Sequence, residues 1–175
     1  MVEKIIVFID SGDTLVEEKT EVYEGQTELV LSADLRPGAK ELIERLKKRG
    51  NPVIMVADGL RQSFINVHTQ HGIYDLYDGH IYSEDVGVHK PDKRMFQAAL
   101  DVCNLTENDV KKIIMVGNNL SRDVKGANEM GITSVFMSWT DRYPKEPVDQ
   151  SEKPDYTIVE PLELLDLIDK LEKSL

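Results

Sequence analysis

Four short segments of this chain carry residue types that can act together on a phosphoryl group: Asp10-Ser-Gly-Asp-Thr14, Ala57-Asp-Gly59, His89-Lys-Pro91 and Gly117-Asn-Asn-Leu-Ser-Arg-Asp123. A carboxylate such as Asp10 can attack phosphorus and form an aspartyl phosphate, provided that a cation offsets the repulsion between the two negative groups. Mg²⁺ suits that role, because it takes oxygen ligands in an octahedron, usually one or two carboxylates with waters and the substrate phosphate. Asp10, Asn118 and Asp123 can supply part of such a shell. Lys90 can bring a point charge to the transferring group.

These segments meet only if each follows a strand and opens on one edge of a sheet. Lys4 to Ile9 is a short apolar, β-branched run ending in turn-forming residues, which predicts a buried strand followed by a functional loop. Residues 17 to 35 are polar and weakly alternating, as expected of a flap or short hairpin. Pro37, the apolar Leu42, Ile43 and Leu46, and Gly50 mark an amphipathic helix with its start and stop. Val53 to Ala57 reads as a second buried strand, and a helix carrying Phe64 and Val67 closes at Gly72. A small strand near Ile81 follows, Lys90-Pro91 opens another helix, and Thr106 with Asp109 forms a capping box ahead of a short one. Strand Ile113 to Val116, a helix from about Ser121 to Met130, strand Thr133 to Met137, a last strand at Tyr156 to Val159 and a closing helix through Leu162, Leu165, Ile168 and Leu171 complete the pattern.

Strands alternating with helices imply a parallel sheet covered on both faces, with ligands at the carboxyl ends of the strands. The expected fold is α/β, a Rossmann-like three-layer sandwich over residues 1–175 as one domain. Only 26 residues separate Asp10 from Pro37 and 31 separate Asp58 from Lys90, too few for a cap domain of ordinary size. A site left open in this way admits large substrates or is covered by a second copy of the chain in a homo-oligomer.

With these motifs in order along nearly the whole chain, from about Lys4 to Leu171, the sequence resembles the haloacid dehalogenase superfamily. Asp10-Ser-Gly-Asp-Thr-Leu15 is similar to its Asp-x-Asp-Gly-Thr-Leu, Lys90-Pro91 to its Lys-Pro, and Gly117-Asn118 through Asp123-Val-Lys-Gly-Ala127 to its Gly-Asp-x-x-x-x-Asp-x-x-Gly-Ala. The resemblance implies an Mg²⁺-dependent hydrolase of a small phosphate ester or acyl phosphate. Asp10 is then the nucleophile, the Gly12 carbonyl a metal ligand, and Lys90 the cation that orients nucleophile and phosphate, with Asn118 and Asp123 at the acidic metal positions. Thr14, Ala57, Asp58 and Gly59 fall at the phosphate or substrate.

Three positions depart from the pattern. Gly12 stands where an acid/base aspartate, worth about 10² to 10⁴ in rate, is usual, and Asp13, one place late, is the catalytic candidate for that role beside Asp10 and Lys90. Ala57 replaces a hydroxyl donor. Asn118 keeps an oxygen for the metal but drops one negative charge, which predicts weaker Mg²⁺ binding unless Asp13 or Asp58 leans in. The departures leave a rival reading, a non-catalytic or regulatory protein of the same fold. A metal-independent dehalogenase is a third, disfavoured by the missing cap and the acidic metal-type loop.

Composition narrows the partners. With 32 acidic against 21 basic side chains the net charge is −11, which repels nucleic acid and anionic membrane over most of the surface. The apolar run near the N-terminus is five residues long, far short of the roughly 20 of a membrane span, and predicts a cytoplasmic protein. The single Cys103 sits on a helical apolar face with Met95, Phe96, Ala99 and Leu100 and reads as a core residue. His68 and His71, three apart on a helix, lack further ligands at metal spacing and read as surface or hydrogen-bonded histidines.

Overall fold

In the computed structural model, which describes residues 3–175, the strands richest in aliphatic residues lie at the centre. These are β1 (Ile6–Ile9), β4 (Val53–Ala57) and β6 (Ile113–Gly117), and every residue in them is buried. Parallel strands covered on both faces have this continuous apolar character. With β5 (Gly79–Tyr82), β7 (Thr133–Met137) and β8 (Tyr156–Ile158) they form one six-stranded parallel sheet in the order β5-β4-β1-β6-β7-β8. The strands β2 (Val16–Tyr23) and β3 (Val30–Leu35) pair separately as an antiparallel hairpin.

Side chains alternate across the sheet and feed two cores. Val7 and Ile9 of β1 join Val53, Met55 and Ile114 under helices α1 (Ala39–Arg49) and α6 (Glu163–Glu172), which contribute Leu42, Ile43, Leu46, Leu164 and Ile168. Ile6 and Phe8 face the other way, onto Met95, Phe96, Ala99 and Leu100 of α4 (Lys93–Val102) and Ala127 of α5 (Lys125–Met130). The result is the three-layer Rossmann-like α/β sandwich expected from the sequence. Among the described residues, the span from Asp10 to Pro37 holds only the β2–β3 hairpin, and that from Asp58 to Lys90 holds α2 (Arg61–Gln70), a 3-10 turn, β5 and the one-turn α3 (Ser83–Val86), so no cap domain intervenes.

Two helix starts differ from expectation. Pro37 and Pro91 both precede their helices and neither occupies the first helical position. Gly38, in the left-handed region, leads into α1, and Asp92 caps α4 by accepting a hydrogen bond from the Arg94 backbone. The helix expected from Ser121 is split: a π-helical turn, Leu120–Val124, precedes α5.

The hairpin is held down by α2. Val16, Val30, Ala33 and Val67 form a small apolar cluster. The Val30 amide donates to Ser63 Oγ at 3.0 Å, the Ala33 amide to Gln70 Oε1 at 3.1 Å, and Asn66 Nδ2 to the Val30 carbonyl at 2.9 Å. These bonds satisfy edge groups of β3 that a two-stranded sheet leaves open.

The same helix buttresses the loop after β1. His68 is fully buried, with Ser11 Oγ 2.8 Å from its Nε2 and Tyr77 Oη 3.1 Å from its Nδ1. His71 Nε2 lies 2.7 Å from the Ala33 carbonyl, so both histidines are hydrogen-bonded. Burial pushes the His68 imidazole down to about 3, with His80 and His71 adding to the effect. A histidine whose folded value lies below its unfolded value of 6.5 costs stability as pH falls from about 6.5 towards 3, because the unfolded chain binds the proton first. We predict that His68→Gln, which keeps groups able to bond Ser11 and Tyr77, flattens the acid decline of unfolding free energy by up to about 1.4 kcal/mol per pH unit between pH 6 and 4. Urea melts of both proteins across that range, with parallel slopes, would refute it.

Candidate active site

Asp10 follows β1 directly, and the chain then folds back on itself. The backbone N–H groups of Thr14, Leu15 and Val16 all point to the Ser11 carbonyl, and the Asp13 amide donates to the Val16 carbonyl at 2.7 Å. Asp13 adopts φ 49°, a left-handed conformation that aspartate tolerates better than most residues. The turn launches β2 so that the hairpin stands beside Asp10.

At the centre is Lys90, whose side chain is 1% exposed. Its Nζ donates to Asp10 Oδ1 at 2.9 Å, Asp123 Oδ1 at 2.7 Å and the Val56 carbonyl at 2.7 Å. An ammonium has three donors, and all three are used. The Lys90 backbone amide donates to Asp58 Oδ1 at 3.0 Å, so the residue after β4 anchors the lysine loop. Burial alone would push the ammonium down, yet Asp10, Asp123 and Asp58 together hold it above its ordinary value. Burial raises the Asp123 carboxyl above the usual carboxylate range, against the pull of Lys90. Asp123 sits on the π-helical turn, where its Oδ2 accepts the Asn119 amide at 3.1 Å. A Cβ at Gly117 would collide with that carboxylate, which explains the glycine at the end of β6.

A cleft of about 370 Å³ opens over these groups. Asp10, Gly12, Asp58, Gly59, Lys90, Asn118 and Asp123 line it, as the sequence predicts, together with Phe64, Arg122 and Tyr143. Three predicted residues lie apart from it. Ala57 is buried at the end of β4, and Thr14 is buried beneath the loop with its Oγ1 donating to Asp10 Oδ2 at 3.3 Å. Asp13 is 4% exposed and its carboxylate is committed: Oδ1 accepts the Glu18 amide at 3.1 Å and Oδ2 the Arg142 guanidinium at 3.0 Å. Nor does Asp13 lean towards Asn118; it holds the hairpin.

The sequence reading missed Glu18 of β2. Its carboxyl group enters the cleft, pairs with Arg142 at 2.7 Å and stands over Gly12. Burial pushes it up to about 7, and Asp13, Glu21 and Asp10 add to the rise against Arg142. The segment between β7 and β8 supplies Arg142 and also Trp139, whose Nε1 donates to the Asp13 carbonyl. Nothing local marks these residues, because Arg142 and Trp139 lie more than 120 positions from Asp13. His89 is exposed at the rim, 3.7 Å from Asp58.

Could the site hold a metal? Among the described residues no three His, Cys, Asp or Glu side chains are grouped to bind one. Asp10, Gly12, Asn118 and Asp123 all line the cleft, and the oxygens they could offer, two carboxylates, a backbone carbonyl and a side-chain amide, are hard donors. Asn118 is 4% exposed and its amide nitrogen is buried without a hydrogen-bond partner, so its oxygen is the group available to the cleft. The set fits an ion that takes oxygen ligands and keeps several waters, as Mg²⁺ does, and does not fit Zn²⁺.

Comparison with known proteins agrees with this geometry. The glyceraldehyde 3-phosphate phosphatase of Pyrococcus furiosus is 28% identical over 134 residues, which are 77% of this chain and 54% of the relative. The phosphoserine phosphatase of Thermus thermophilus is 27% identical over 71% of this chain and 47% of its own. The chain thus spans about half the length of the curated relatives it matches. A crystal structure of a HAD phosphatase from Thermococcus onnurineus superposes with a TM-score of 0.75 at 18% identity, covering 94% of this chain and 97% of the other, and shows the shared fold. A model of the haloacid dehalogenase-like hydrolases matches residues 5–131, the stretch that carries Asp10, Lys90 and Asp123, and the chain belongs to that family.

Proposed function

We propose that this protein is an Mg²⁺-dependent phosphohydrolase that acts on a small phosphate ester or acyl phosphate through an aspartyl phosphate on Asp10. The observation that carries the reading is the Lys90 ammonium, buried and held 2.9 Å from Asp10 and 2.7 Å from Asp123. A cation fixed against a carboxylate at a strand end positions it as a nucleophile and neutralises charge on an incoming phosphoryl group. The relatives named for phosphatase activity support the same chemistry.

Asp10 supplies the attacking oxygen, Lys90 holds it and faces the transferring group, and Asp58 keeps the lysine loop in place. Asp10, the Gly12 carbonyl, Asn118 and Asp123 would hold Mg²⁺, which when bound offsets the negative charge of phosphate and nucleophile together. The excess of acids lining the cleft, where Asp10, Glu18, Glu21, Glu28, Asp58 and Asp123 stand with Lys90 and Arg122, supports a bound cation.

A screen of alkyl, aryl and acyl phosphates with and without Mg²⁺ tests the reading. Asp10→Asn should abolish hydrolysis and cost less unfolding free energy than Lys90→Ala, because Asp123 still pairs the buried ammonium. Equal turnover by wild type and variant would refute the nucleophile; inactivity of the wild type towards all phosphates would favour a binding protein.

Lys90→Ala should lose turnover without rescue by added Mg²⁺. It should also cost about 3 to 5 kcal/mol of stability in urea melts, since two carboxylates lose their shared cation. A variant of wild-type stability would show that the ammonium is not what holds the strand ends together.

Mg²⁺ should raise the melting temperature only at millimolar concentration, because Asn118 offers a neutral ligand where a carboxylate would bind more tightly. Saturation in the micromolar range would contradict the ligand set.

A further inference from the structure

Gly12, like Gly117, is a glycine near the site whose backbone gives no reason for it. Its φ lies outside the left-handed region, where any residue is accepted. What fills the space beside it is Glu18: the atoms nearest to a Cβ at position 12 are Glu18 Oε1, Cδ and Cγ in turn, so the carboxyl would have to move aside to admit a side chain. The space that a residue-12 side chain would fill is therefore already occupied by a carboxyl group delivered from β2.

The placement is built, not incidental. The Glu18 amide is fixed by Asp13 Oδ1 at 3.1 Å, and Arg142 Nη1 reaches both Asp13 Oδ2 at 3.0 Å and Glu18 Oε2 at 2.7 Å. One guanidinium thus serves two carboxylates and leaves Glu18 Oε1 turned towards Gly12 and the cleft. Asp13, the acid that the sequence offered for proton transfer, is consumed in holding Glu18.

We infer that Glu18 is the acid/base catalyst of this site, supplied across space from the hairpin in place of a side chain at position 12. The inference rests on the phosphohydrolase reading. In the first step an Asp10 oxygen bonds to phosphorus, the ester P–O bond breaks, and the Glu18 carboxyl gives its proton to the departing oxygen. In the second, the Glu18 carboxylate takes a proton from water as the water oxygen bonds to phosphorus. The Asp10–phosphorus bond then breaks, releasing inorganic phosphate and returning both carboxyl groups to their starting forms. One water is consumed for each ester cleaved.

Steady-state and burst kinetics on an alkyl and an aryl phosphate separate this role from a structural one. Glu18→Gln should lower kcat on the alkyl phosphate by about 10² or more, and raise the aryl-to-alkyl rate ratio, because aryl oxides leave without a proton. On the aryl phosphate it should give a burst of one product per enzyme followed by slow turnover, since water attack has lost its base. Gly12→Asp alone should be damaged by the collision with Glu18, whereas Gly12→Asp combined with Glu18→Ala should exceed Glu18→Ala on the alkyl phosphate by tenfold or more. An active wild type matched by Glu18→Gln on both substrates, or a double variant no faster than Glu18→Ala, would overturn the role of Glu18 and leave the phosphohydrolase intact. A wild type inactive on every phosphate would overturn both.

Discussion

One ammonium group organises this molecule. Lys90 Nζ lies in a place where water does not reach, and it is tolerated there because three oxygens, from Asp10, Asp123 and the Val56 carbonyl, match its three protons. An unpaired charge at that depth would cost several kcal/mol, so the ammonium favours the arrangement in which the ends of β1, β4 and β6 meet. The apolar strands, the glycine at 117 and the π-helical turn are the means by which they do. Folding thus brings Asp10 and Asp123 to the same ammonium.

Much of this was legible in the sequence. Strands buried on both faces leave continuous runs such as Val53 to Ala57, and the structure reproduces that run and Thr133 to Met137 to the residue. Strand-end loops carrying Asp10, Asp58, Lys90, Asn118 and Asp123 follow from the topology of any such sheet, and all five line the cleft. What was illegible depends on contacts between distant segments. Asp13 looks like a displaced catalyst in the sequence, and only the positions of Arg142 and the Glu18 amide reveal it as a brace. Glu18 itself lies in a run of exposed-looking polar residues. The bulges between β2 and β3 shift its register, so alternation along the strand does not mark which glutamate faces inward. Pro37 and Pro91 mark helix starts only approximately, because Gly38 and Asp92 provide the actual entry geometry.

The hairpin assumes unusual importance in a chain that spans only about half of its curated relatives. It supplies a wall of the cleft through Val16, Glu18, Glu21, Tyr23, Glu28 and Val30, and it is anchored to α2 and, through Asp13 and Arg142, to the loop after β1 and the segment before β8. Asp10 thus follows a fully buried strand, while Glu18 stands on an element held against α2 by a small apolar cluster and a few hydrogen bonds. Side chains such as Ser63, Asn66 and Gln70, which touch no reacting atom, set the distance between the two.

Trp139 is the single tryptophan of the chain. Its indole donates to the Asp13 carbonyl and lies under the Arg36 guanidinium, 4.0 Å from the ring centroid. Intrinsic fluorescence excited in the indole band therefore arises at one point, against the loop that follows β1. Emission from the native chain is an optical signal of that loop, without a label and without interference from a second emitter.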